Sequence, residues 1–452
     1  MLCAAALTSC TKFLDIKPYG EVIPKTADEF SSLLNSILET IDYGEDIILG
    51  NPSSAVEYEC YADNFEMNIT TSQAANNLPF YVGSHISNKQ FLYADLYEVI
   101  RDCNIVIDNL EERDTRLGRD VLGTAYALRG VSYYNLLRNF CEPPIGNLQG
   151  LGVPIVTKFD MEARPIRNTI EETIIQAETD MLKAIDYDIQ DDIYRFNTDV
   201  MEGFLARLYF WTGQWTKAKI YAEKVLTKYP MISGAAYTEM ITSQMAPRGN
   251  MILKGFVLSE SGITNEYSGS ESNLRESHPV SRRFIELFDE KEKDIRYDLS
   301  FNKKRRLVKP GFGCLRSAEM QLILAESLYH SGDKAEALSA LNELRHNRIA
   351  DVLDYTMDTL PAVNLDEYIK EDVYGEPLTP LLNAILNERR KELFMEGDRW
   401  YELKRNGRPE FWTAKQGRKY TTMRFMYTFP LPIKDIAIVN GLIQNPGYDK
   451  VQ

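Results

Sequence analysis

Residues 199–230 read DVMEGFLARLYFWTGQWTKAKIYAEKVLTKYP. Leu205, Ala206 and Tyr209 fall on a first helix, Gly213 sits at a turn, and Trp215, Ala218 and Ala222 run along a second helix that Pro230 ends. Small residues at these spacings let two helices cross closely, and proline stops a helix it cannot continue. The stretch therefore reads as a tetratricopeptide-type helix pair. Residues 317–348, SAEMQLILAESLYHSGDKAEALSALNELRHNR, repeat the device with Leu324, Ala325, Gly332, Ala337, Leu341 and Leu344 in the corresponding places. The two turn glycines are 332 − 213 = 119 residues apart, so the copies are not in tandem. Fainter pairs lie at about 91–110 with 121–138 and around 381–404. The expected architecture is mainly α, with four such pairs (about 91–138, 170–230, 317–348 and 381–407) forming a scaffold. Long loop-rich insertions at about 45–90 and 255–315 interrupt it, all within a single domain spanning 11–452.

Outside the repeats, Thr26-Ala-Asp-Glu29 and Thr169-Ile-Glu-Glu172 are capping boxes that start helices. After the first, Phe30, Leu33, Leu34, Ile37, Leu38 and Ile41 keep the spacing of an amphipathic helix. Between about 45 and 90 that rhythm fades and Asn, Ser, Tyr and Gly accumulate, which predicts a long surface excursion where binding residues could sit.

The 452 residues carry 51 Lys and Arg against 66 Asp and Glu, a net charge of −15 that argues against a phosphate-binding face and so against nucleic acid. His85, His278, His330 and His346 are too scattered to form a local metal site or triad. There is no His-Glu-x-x-His, Gly-x-Ser-x-Gly or Walker A motif, so neither catalysis, nor a cofactor, nor a metal is expected. Gly311-Phe-Gly-Cys-Leu-Arg316 begins like a dinucleotide fingerprint but lacks the third glycine, and it reads as a loop. Paired carboxylates for glycoside hydrolysis are not singled out by any local motif. No stretch is apolar for the 18 or so residues that a membrane-spanning helix requires. The first ten residues, MLCAAALTSC, read either as a ragged start with ordinary thiols or as the end of a lipoprotein signal, with Leu7-Thr8-Ser9-Cys10 as lipobox and Cys10 lipidated. Cys60, Cys103, Cys141 and Cys314 form no Cys-x-x-Cys pair, and Cys103 has the setting of a small core residue.

Several segments in one order resemble the SusD/RagB family of outer-membrane nutrient-binding lipoproteins. Cys10-Thr-Lys-Phe-Leu-Asp-Ile-Lys-Pro18 resembles the family's lipidated start, and Tyr126-Ala-Leu-Arg-Gly-Val-Ser-Tyr-Tyr134 its second repeat helix, with Gly152-Val-Pro154 after it. Glu319, Ala325 and Glu326 are similar to the helix of the third repeat. Residues 387–407, NERRKELFMEGDRWYELKRNG, resemble the family's Glu-Arg-x-x-Glu-Leu-x-x-Glu-Gly-x-Arg helix. Pro430-Leu-Pro432 and Asn440-Gly-Leu-Ile-Gln-Asn-Pro-Gly-Tyr448 are similar to its terminus. The resemblance implies a SusD-like fold and lipidation at Cys10. It also implies a cell-surface outer-membrane location and a SusC-like TonB-dependent transporter as partner.

Glu388, Arg389, Glu392, Glu396 and Arg399 could pass for catalytic acids with cationic partners. Their spacing of three and four residues instead predicts a structural role through ion pairs along one helical face, with Leu386, Leu393 and Trp400 packing beneath. For ligand, sugars need aromatic platforms beside Asp, Asn or Arg partners. Two non-repeat stretches hold that mixture: Tyr61, Asp63, Asn64, Phe80 and Tyr81, and then Asn265, Tyr267, Asn273 and Arg275. The leading reading is a lipid-anchored protein that captures oligosaccharide and hands it to the transporter. A peptide-binding member of the family, a secreted hydrolase and a protein-binding helical adaptor are the alternatives.

Overall fold

A computed structural model describes residues 24–66, 78–243, 251–257, 272, 274–415 and 417–448; Cys10, Asn265, Tyr267 and Asn273 lie outside them. The 199–230 stretch forms the hairpin expected of it. Asn197 caps the Thr198–Trp211 helix by accepting from the Val200 N–H, and Gly213 turns the chain at φ +71° before the Trp215–Lys228 helix. A non-glycine residue is disfavoured there twice over, since a Cβ would also press on the Ile145 side chain at 2.9 Å. Ser317–His330 and Lys334–His346 form the second hairpin, with Gly332 at φ +92°.

The two copies, far apart in sequence, are neighbours in space, because the Ser317–His330 helix packs on Trp215–Lys228. The same stack extends backwards through Thr198–Trp211, Ile170–Tyr187 and Arg116–Phe140 to Lys89–Asn109, and forwards to Pro380–Glu392. The 170–230 stretch is three helices rather than one pair, and Ile170–Tyr187 packs most extensively on Arg116–Phe140. Gly130 permits this approach, with Ala177 O 3.1 Å from where its Cβ would be. Arg129 locks it with two hydrogen bonds to Asp180, at 2.8 and 2.7 Å. Both capping boxes form at Thr26 and Thr169.

Ala218 and Ala222 are fully buried at the hairpin crossing. Ala218→Leu should therefore overpack it and cost about 1–3 kcal/mol, whereas Tyr81→Ala on a half-buried surface residue should leave the melting temperature nearly unchanged. Thermal denaturation of the two variants side by side checks this division.

Two local expectations are corrected. Residues 45–66 are not a surface excursion. Asp46 accepts from the Ile48, Leu49 and Gly50 N–H groups, Asn51 caps the Pro52–Tyr61 helix, and seven of that helix's residues are buried. Its low amphipathicity reflects burial on several sides, which removes the one-faced rhythm a sequence reading looks for. Residues 311–316 are not a loop, because Phe312–Arg316 is a buried strand pairing antiparallel with Met251–Val257. Gly313 and Gly255 serve close backbone approach there: a Cβ on Gly313 would lie 2.0 Å from Gly50 O, and one on Gly255 2.2 Å from Gly313 O. Trp412 lies on strand Phe411–Lys415, which forms a hairpin with Arg418–Thr422.

The charged 387–405 segment is structural, but not through the intrahelical pairs its spacing predicts. The Pro380–Glu392 helix is almost wholly buried, so its charges need partners from other elements. Glu392 accepts from Arg316 at 2.6 Å, from Arg348 at 2.9 and 3.0 Å and from Arg296 at 3.2 Å. Glu396 takes Lys309 at 2.7 Å and Arg316 at 2.8 Å. Glu388 takes Arg296 at 2.7 Å, and Arg389 pairs with Asp398 nine residues on, at 2.7 and 2.6 Å. Within the segment only Glu388–Lys391 and Arg399–Glu402 keep an i, i+3 pairing, each at 2.6 Å. Leu386, Leu393 and Trp400 are buried as expected.

Candidate ligand-binding surface

The described part of the second insertion, from residue 274 on, packs against the first. Phe65 bridges to Val280, Phe80 stacks on His278 at 4.1 Å, and Glu66 pairs with Arg305 at 2.9 Å. Phe65, Phe80, Leu274, Val280 and Phe284 share one apolar cluster. The two insertions therefore have a common floor, and the exposed Arg275 lies on the helical turn beside Leu274.

Most of the first stretch is that floor and not a contact surface. Tyr61, Asp63, Asn64 and Phe80 are buried, with their polar atoms committed inside the protein. Asp63 accepts from Arg399 at 2.7 and 3.0 Å and pairs with Arg390 at 3.1 Å. Burial alone would raise the Asp63 carboxyl, but the two facing guanidiniums outweigh it and hold that carboxyl well below the usual range. Asn64 donates to Glu59 at 2.8 Å and accepts from Arg390 at 2.7 Å. Tyr61 donates to Glu57 and packs its ring on Trp400 at 5.3 Å. The composition that suits a sugar site, aromatics beside Asp and Asn, also suits a buried ion-paired hub, and the partners that decide between them lie more than 300 residues away.

Tyr81 is the member of the first stretch that reaches the surface. Its ring stacks on Tyr420 with centroids 4.6 Å apart and planes at 17°. Gly83 admits it, since a Cβ there would sit 2.5 Å from the phenol end. The Phe411–Thr422 hairpin is held in place by Thr413, which donates to Phe80 O at 2.9 Å. Beside the pair, Lys415 Nζ lies 2.8 Å from Ser84 Oγ, to which it donates, and 3.1 Å from His85 Nε2. Burial first, and Lys415 second, push His85 below its ordinary value, so this imidazole favours the neutral form. Trp412 is 43% exposed, with the Lys419 ammonium 4.7 Å over its ring. The surface thus offers flat rings bordered by a hydroxyl, an imidazole and an ammonium, which can stack and hydrogen-bond. Among the described residues no group of three His, Cys, Asp or Glu is placed to hold a metal, and no helix is long and apolar enough to cross a membrane. Tyr420, Lys415 and His85 escaped the sequence reading; the signal available was the WTAKQGRKYTT hairpin around Gly417, at φ +71°.

Two family models match the chain. One, described as starch-binding and associating with the outer membrane, covers residues 12–210, and the SusD family model covers 302–448. A tetratricopeptide repeat matches 205–230. Among solved structures, a SusD superfamily protein from Bacteroides thetaiotaomicron superposes with a TM-score of 0.68 at 21% identity, covering 93% of this chain and 100% of its own. A SusD-like carbohydrate binding protein from Bacteroides vulgatus gives 0.68 at 19%, covering 93% and 98%. A laminarin binding SusD-like protein gives 0.61 at 18%, covering 94% and 100%. At these identities the likeness is one of fold. No curated protein matches the sequence.

Proposed function

Because the chain belongs to the SusD family, we propose that it is a glycan-binding protein of the cell surface, without catalytic activity, that captures oligosaccharide for import. In this reading Cys10 carries the lipid anchor, and a SusC-like TonB-dependent transporter receives the ligand. The observation that carries the glycan assignment is the Tyr81–Tyr420 stack, next in the chain to Phe80 of the shared floor and bordered by Ser84, His85 and Lys415. A sugar's C–H face lies on such rings while its hydroxyls exchange hydrogen bonds with the polar border. Arg275 is a further candidate for ligand contact, as are Asn265, Tyr267 and Asn273, which lie outside the described residues.

Because water satisfies sugar hydroxyls almost as well, an open site of this kind gains modest free energy. An oligosaccharide should bind with a dissociation constant of roughly 10 μM to 1 mM, and a monosaccharide more weakly. Tyr81→Ala and Tyr420→Ala should each weaken binding about tenfold by removing one ring of the pair. Calorimetry across a glycan panel, followed by product analysis of each binder, tests all of this. Cleaved product would establish a hydrolase instead. A silent glycan panel together with a binding peptide would move the assignment to peptide capture.

A further inference from the structure

A second, enclosed space lies within the scaffold. Where the Arg116–Phe140, Thr198–Trp211, Pro380–Glu392 and Asp398–Arg405 helices converge, a cavity of about 20 Å³ is walled in part by Arg138, Trp211, Arg389, Glu402 and Arg405. Such a space holds one water molecule or one ion of similar radius. Trp211, Arg389 and Arg405 are 3%, 4% and 5% exposed. Trp211 Nε1, Arg389 Nη1, Arg405 Nη1 and Arg138 Nε are buried donors with no hydrogen-bond partner among the described residues. Each such orphan weakens the fold, so four on the walls of one small space call for a ligand that accepts.

Charge points the same way. Arg389 is matched by Asp398, Arg405 through its other nitrogen by Glu326, and Arg207 by Glu319 at 2.8 Å. Arg138 has no carboxylate partner among the described residues: its Nη1 donates to Tyr134 Oη at 3.1 Å, and its guanidinium lies 3.6 Å over the Tyr401 ring. Glu402 Oε1 is the wall's unpartnered acceptor, while the other oxygen of that carboxylate accepts from Arg399 at 2.6 Å. A water molecule would bring two donors of its own to a site already crowded with them, whereas an anion only accepts.

We propose that this cavity binds a small monovalent anion of halide size, held by the N–H groups of Trp211, Arg138, Arg389 and Arg405, and that the ion pins the repeat scaffold to the charged C-terminal helices. The proposal is independent of the glycan reading. Crystals grown with bromide in place of chloride should show an anomalous peak in the cavity. In solution at constant ionic strength, the melting temperature should rise as chloride replaces gluconate, which is too large to enter. Trp211→Phe removes one donor together with the pyrrole half of the indole, so it should lower the melting temperature in either salt; the chloride concentration giving half of the remaining rise should increase about tenfold. A cavity without a bromide peak, or a Trp211→Phe variant with the chloride dependence of the parent, would mean that the space holds only water and would overturn the proposal.

Discussion

Glu392→Ala should cost about 3–5 kcal/mol or prevent folding outright, because it strands the buried Arg348, whose carboxylate partner it is, and takes one of their partners from Arg296 and Arg316. The carboxylate is fully buried and accepts from Arg296, Arg316 and Arg348 together, while its backbone carbonyl takes Lys309 at 3.1 Å. Glu392→Gln keeps the shape and some acceptor capacity, so it should fall between the parent and the alanine variant. Urea denaturation followed by circular dichroism gives the comparison; a loss below about 1 kcal/mol for the alanine variant would show that the arginines find other partners. The same network sets the response to acid. At Glu388 burial opposes ionisation, but Lys391 and Arg296 outweigh it and lower the carboxyl to about 2; Glu326 is likewise lowered to about 2 against burial, by Arg405 and His330. A carboxyl held below its unfolded value contributes stability that is complete above about 4.5 and lost as pH falls towards 2. Stability should therefore drop steeply across that interval.

Asp63→Ala should likewise cost about 3–5 kcal/mol, and the variant should lose ligand only in proportion to the molecules that fail to fold. Removing this carboxylate leaves Arg399 with Glu402 and Arg390 with Glu367, and undoes the join between the Pro52–Tyr61 region and the C-terminal helices. Tyr81→Ala should show the opposite pattern, with stability kept and binding reduced. Measuring the melting temperature and the fraction of binding-competent protein on both variants separates floor from surface. An Asp63→Ala protein that melts like the parent yet has lost its ligand would put Asp63 in the binding site after all.

How much could be read beforehand depended on the range of the interaction. The hairpins at Gly213 and Gly332 and the capping boxes at Thr26 and Thr169 rest on residues within about one helical turn or one short loop of each other. Such contacts leave a periodic trace in the chain. The Pro52–Tyr61 helix left little trace, because a helix buried on several sides has no polar face to alternate with. The strand at Phe312–Arg316 was hidden for a related reason. Its glycines answer to Gly50 and Gly255, which are distant in sequence, and without those neighbours glycine reads as loop.

The candidate surface shows the same boundary more sharply. From the chain alone came the mainly helical scaffold, its SusD-like character and the two regions outside the repeats, since each is encoded in short motifs whose spacing carries their meaning. Which residues of those regions face solvent was decided only by tertiary structure. Asp63 and Asn64 are drawn inward by the hydrogen bonds they accept from Arg390 and Arg399, and Tyr81 is left outside, stacked on Tyr420 from the last hairpin. A side chain's burial depends on partners that folding brings from hundreds of residues away, and its identity says only what it could do once there.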